Sequence, residues 1–104
     1  MRVYLISKWN NTNAIGDYCL DDESLVVLKG SVLSATISSS KTFRGKQAIL
    51  NSREGTVIDN VLQEDVRFKS PSTAANFVTG ASSNGKRLWK TENGTPIGKL
   101  GEEA

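Results

Sequence analysis

Short apolar runs alternate along the chain with clusters of Asn, Asp, Ser and Gly, the pattern of a domain assembled from short strands and short helices. Arg2 to Ile6 reads as a first strand, stopped by the polar Asn10-Asn11-Thr12-Asn13 turn or loop. Ala14 to Leu20 and Ser24 to Lys29 read as two antiparallel strands joined by Asp21-Asp22-Glu23, which puts three carboxylates on a hairpin tip. Gly30-Ser31 marks a bend or bulge, since glycine reaches backbone angles closed to its neighbours, and Val32 to Ile37 continues the pairing beyond it.

The pattern then changes period. Thr42 can cap a helix over about residues 43 to 53, with Gly55 placed to end it in a left-handed conformation. Val57-Ile58 and Val61-Leu62 flank the turn pair Asp59-Asn60 and read as strands, although the same spacing also suits one face of a helix. The sharpest local signal runs from Ser70 to Gly80. Ser70 is a helix cap, Pro71 suits the first helical position because an N–H there has no intrahelical partner, and Gly80 can terminate the helix. Ala74, Phe77, Val78 and Ala81 recur at i, i+3, i+4 and i+7, the buried stripe of an amphipathic helix. Beyond it, Asn84-Gly85 reads as a tight turn, Lys86 to Thr91 as a strand carrying Leu88 and Trp89, and Asn93-Gly94 as another turn, with Gly101 to Ala104 frayed. The fold expected is α+β: a small single domain over residues 1–104, antiparallel strands packed with two short helices.

Composition agrees with that picture and narrows the chemistry. At 104 residues the chain has the size of one domain, and 38% hydrophobic with 23% charged residues is the balance of a folding chain rather than a disordered one. No apolar run approaches the roughly 20 residues of a membrane-spanning helix, and Lys8 interrupts the N-terminal run before it resembles an export signal. The expectation is a cytoplasmic protein with no membrane partner. The lone Cys19 leaves no intramolecular disulfide, which suits a reducing compartment, and its place in a strand beside Tyr18 and Leu20 reads as a buried structural thiol. There is no histidine, which removes Ser-His-Asp and Cys-His catalysis and every zinc site that needs imidazole. No metal ligand set follows Asp21-Asp22-Glu23, and Glu64-Asp65 ahead of Arg67 and Lys69 lacks the acidic-x-lysine spacing of nuclease centres; both read as surface charge. Gly80 to Gly85 lacks the lysine and hydroxyl residue of a nucleotide P-loop. The chain is therefore expected to be non-catalytic, with no cofactor and no metal.

The net charge of +2 is too mild to name a partner, but its distribution is informative. Asp17, Asp21, Asp22 and Glu23 gather early, whereas residues 66 to 91 hold Arg67, Lys69, Lys86, Arg87 and Lys90 and no acidic residue. Trp89 among Lys86, Arg87 and Lys90 suits either stacking with phosphate attraction or an ordinary half-buried strand, the core reading being preferred for Trp89 and Leu88. Ser70, Ser72, Thr73 and Lys69 offer a loose anion site at a helix start, with simple capping as the plainer reading.

Taken in order, Ala14-Ile15-Gly16, Val27-Leu28-Lys29-Gly30-Ser31, Phe68-Lys69-Ser70-Pro71-Ser72-Thr73-Ala74-Ala75, Val78-Thr79-Gly80, Ser83-Asn84-Gly85 and Trp89-Lys90 form a series over about residues 14 to 92 that resembles the domain of unknown function 4357. That family is often attached behind GIY-YIG nuclease domains in bacterial proteins, and its Ser-Pro-Ser to Asn-Gly-Trp portion is similar to the RAMA domain of restriction and modification systems. The resemblance implies a DNA-binding accessory domain, for modified or unmodified DNA, partnered by a nuclease domain. It places contacts near Ser70, Ser72, Thr79, Ser83, Asn84 and the basic strand that follows. As a DNA-binding domain the chain is expected to contact phosphates through Lys69, Lys86, Arg87 and Lys90, with Ser83 and Asn84 approaching bases. Lys86 stands where the family often has an aromatic, so a pocket of two aromatics is not implied, and neither the GIY nor the YIG motif is present. The alternative is a protein-interaction module that docks a nuclease or other partner through a strand edge or the helix.

Overall fold

The computed structural model describes residues 1–7, 11–35, 46–81 and 84–99. Strands β1 (Arg2–Ser7), β2 (Thr12–Tyr18), β3 (Leu25–Val27) and β6 (Val66–Phe68) form an antiparallel sheet in the order β1-β2-β3-β6, and β4 (Val57–Ile58) and β5 (Val61–Leu62) form a two-stranded ribbon. Three helices accompany them, α1 (Lys46–Arg53), α2 (Pro71–Thr79) and α3 (Gly85–Leu88), followed by a 3-10 turn at Ile97–Lys99. The protein is a small α+β domain, and no helix among the described residues is long and apolar enough to cross a membrane.

Strand alternation decides which face is buried. Val3 and Leu5 of β1, Ala14 and Tyr18 of β2, Leu25 and Val27 of β3, and Phe68 of β6 all point to one side of the sheet, where α2 packs Ala74, Ala75, Phe77 and Val78 against them. Phe68 and Phe77 meet with ring centroids 4.9 Å apart, and Trp89 is fully buried in the same cluster. Ser70 caps α2 from an extended conformation, Pro71 starts it, and Gly80 ends it with φ +74, as the residue pattern requires. At the other end of α2, the Arg53 guanidinium of α1 donates to the carbonyls of Phe77 (2.7 Å) and Ser34 (2.8 Å) while lying over the Phe77 ring. One side chain thereby bonds to three backbone carbonyls, the third being that of Val78, which also accepts the Ser34 amide.

Several expectations are corrected. Thr12 and Asn13 belong to β2 rather than to the preceding turn, where Asn11 takes a left-handed φ. Of the strand expected over Val32 to Ile37, Val32 makes bridges, to Asn13 and Val61, and no other described residue of it does; Thr36 and Ile37 lie outside the described residues. The reason is that the backbone donors of Leu33 and Ser34 are taken by Asn60 and Val78, not by a neighbouring strand, although Leu33 is buried as its apolar side chain demands. The helix near residues 43 to 53 is described from Lys46 onward, and the Thr42 cap lies outside the described residues. The strand expected over Lys86 to Thr91 is instead α3, with only Lys90 bridging to Tyr4 and Pro96. Cys19 is exposed rather than buried, because β2 ends at Tyr18 and the next residue faces away from the core into the hairpin. Ala81 is half-buried, past the cap at Gly80.

Candidate nucleic-acid interface

The start of α2 and the start of α3 are locked together. Gly85 packs so closely on α2 that a Cβ there would lie 2.1 Å from the Pro71 carbonyl carbon and 2.3 Å from the Ser72 nitrogen. The Gly85 N–H donates to Ser72 Oγ at 3.1 Å, and the buried Trp89 indole N–H donates to the Pro71 carbonyl at 3.1 Å. Asn84 sits at the cap position and its carbonyl accepts from the Arg87 and Leu88 amides, so the Asn-Gly pair opens a helical turn instead of a tight turn into a strand. With Trp89 drawn inward, Lys86 and Arg87 are left on the outside of that turn.

The chain then doubles back. Ile97 is buried and its amide bonds to the Trp89 carbonyl at 3.0 Å, which brings the 3-10 turn against α3. Between them lies a groove of about 380 Å³ lined by Asn84, Lys86, Arg87, Pro96, Gly98 and Lys99. Three of these six carry positive charge and none carries negative charge. Arg87 and Lys99 form no ion pair among the described residues, whereas Lys86 Nζ is 3.0 Å from Glu23 Oε1. That carboxylate, as hydrogen-bond acceptor first and as opposite charge second, holds the Lys86 ammonium above its ordinary pKa.

Glu23 stands on the tip of the β2–β3 hairpin with φ +60. Its neighbour Asp22 accepts from the Ser24 hydroxyl (2.6 Å) and amide (2.9 Å) and from Arg67 Nη2 (3.0 Å). These bonds, the Ser24 hydroxyl foremost, bring the Asp22 carboxyl down to about 2. The hairpin tip is thus a solvated turn, and two of its acids each hold a cation from the basic segment.

The residues expected to make nucleic-acid contacts are divided by the fold. Asn84, Lys86 and Arg87 share the groove, joined by Lys99. Ser70 Oγ accepts from the Thr73 amide at 3.2 Å and Ser72 Oγ from Gly85, so both hydroxyls serve the helix starts. Lys69 is exposed beside that cap and lines neither groove. Thr79 is buried, its hydroxyl bonding to the Ala75 carbonyl at 2.9 Å, and with Lys90 it borders a second, larger groove of about 880 Å³ that also includes Tyr4, Ile6, Leu88 and Glu92. Ser83 lies outside the described residues. Lys99 escaped the sequence reading because it follows Lys86 by 13 positions across a turn, with no local pattern to join them.

Fold and groove together define a small α+β domain with a basic cleft between a one-turn helix and a 3-10 turn. The chain belongs to the DUF4357 family, a domain of unknown function, whose family model matches residues 5–101, more of the chain than the motif series alone spans. Nothing among curated proteins or solved structures matches it.

Proposed function

We propose that this domain is a non-catalytic accessory module that binds DNA through the cleft of Asn84, Lys86, Arg87 and Lys99, in the company of a nuclease or restriction-modification enzyme. The observation that carries this reading is the convergence of three cations and an amide on one concave surface free of acidic lining residues. Such a surface suits phosphate contacts from the cations, with Asn84 able to offer both donor and acceptor to a base edge. The association with nucleases rests on the family resemblance alone. The test is a fluorescence anisotropy titration with unmodified and adenine-methylated duplexes at about 50 and about 200 mM salt, since phosphate contacts release counterions. Binding that weakens with salt and drops in the Arg87→Ala, Lys99→Ala variant supports it. Affinity no greater than that of a neutral control protein at the lower salt rejects it.

One observation favours docking of a protein as a second reading. Tyr4 on the outer edge of β1 exchanges hydrogen bonds with Lys90 at 2.8 and 2.9 Å, and two residues on, Ile6 directs its backbone to the same edge while 67% exposed. An extended segment of a nuclease or other partner can add to that edge. Capture of the partner independent of salt, and lost in Ile6→Pro, distinguishes this reading from the first.

A further inference from the structure

The cleft is not left open to any anion. One of its three cations is already engaged, at 3.0 Å, by a carboxylate from a distant part of the chain. The placement of that carboxylate is built by the fold. Ser24 and Asp22 close the β2–β3 tip through two hydrogen bonds, Arg67 ties the same tip to β6, and Glu23 takes a left-handed φ that turns it toward α3. Both partners are about half exposed, so the pair is exchangeable rather than permanent.

From this geometry, and resting on the cleft as the nucleic-acid surface, we infer that Glu23 is an intramolecular competitor for phosphate at Lys86 and sets the selectivity of the cleft for ligands with several phosphates in series. A single phosphate at Lys86 must displace Glu23 and remain next to its charge, which leaves little net attraction. A chain of phosphates first engages Arg87 and Lys99, which have no carboxylate partner among the described residues. The next phosphate is then delivered to Lys86 at high local concentration and displaces Glu23. The ligand class is an oligonucleotide backbone; mononucleotides and inorganic phosphate are excluded.

The experiment compares the wild-type chain with Glu23→Gln, Lys86→Ala, the double variant and Glu54→Gln, the last removing an equal charge from the end of α1, outside the cleft. Each is titrated with a labelled duplex, and the bound duplex is challenged with inorganic phosphate. In Glu23→Gln, duplex affinity rises by roughly 3- to 10-fold, the slope of log K against log salt stays that of wild type because Lys86 meets a phosphate in both, and phosphate becomes a better competitor. The gain disappears in the Lys86→Ala background and is absent from Glu54→Gln. If wild type binds duplex and Glu23→Gln binds it no better, or Glu54→Gln gains as much, the role of Glu23 is overturned while the cleft stands. If neither wild type nor Glu23→Gln binds duplex beyond a neutral control, the cleft and the role of Glu23 fall together.

Discussion

At the scale of single residues, the position most sensitive to change is Gly85. A methyl group there would meet three backbone atoms of Pro71 and Ser72 within 2.3 Å, and backbone cannot rotate aside as a side chain can. Gly85→Ala is expected to cost about 2–4 kcal/mol in urea unfolding, in the range of overpacking with backbone displacement. The Asn-Gly motif was visible in the sequence, but its reading as a tight turn missed the reason for the glycine, a close approach to a helix 13 residues earlier. Asp22 carries a pH signature of its own. Its folded pKa of about 2 lies below the unfolded value, so the stability it contributes is complete above about pH 5 and is lost as pH falls through about 2. Subtracting the stability of Asp22→Asn from that of wild type at each pH should therefore leave a difference that shrinks between about pH 5 and pH 2, with no trend above it.

At the scale of elements, the β4–β5 ribbon shows what short-range sequence can favour. Asp59 and Asn60 both have positive φ, 50 and 66, the requirement of a type I′ turn, and the strands on either side pair in the register their apolar residues ask for. Asn60→Gly keeps the turn while removing the steric cost of a left-handed side chain, and should raise the unfolding midpoint by an amount equivalent to about 0.5–1 kcal/mol. A lowered midpoint would show that the Asn60 side chain has a role the turn type does not explain. Helix α2 was equally legible, because a cap, a proline and a terminating glycine act within a few residues of where they stand. Strand β6 was not. It has three residues, Val66 to Phe68, and exists because β3 offers an unpaired edge, so no window on the sequence contains its cause. The same holds for α3, where burial of Trp89 against Pro71 overrides the strand character of Lys86 to Thr91.

At the scale of the molecule, the fold collects charges that are scattered in sequence. The stretch from Arg67 to Lys90 holds five cations and no acid, yet the structure sends Lys90 to the larger groove, leaves Lys69 beside the α2 cap, and pairs Arg67 with Asp22. It brings in Lys99 instead. If the cleft binds DNA as proposed, Lys99→Ala should lower the salt slope by about one, as for the loss of a single phosphate contact, whereas Lys69→Ala should leave the slope unchanged. Equal slopes for the two variants would mean that charge density alone, and not the cleft, attracts the polyanion.

By itself, the sequence determined the α+β class and the α2 helix with both of its ends, and it favoured the β4–β5 hairpin over a helix and the burial of Trp89 over exposure, since each follows from residues close together or from apolar area that must leave water. The absence of histidine and the single cysteine were equally its own to decide, and they narrow the chemistry whatever the fold. Tertiary structure alone decided that Cys19 faces solvent, that Gly85 opens a helix, that Lys86 and Lys99 meet at one cleft, and that Glu23 pairs with Lys86 from the β2–β3 tip. Those outcomes depend on which backbone groups are left for a distant segment to pair with, and on how closely two helices can approach. Neither quantity has a local period that a reading along the chain could detect.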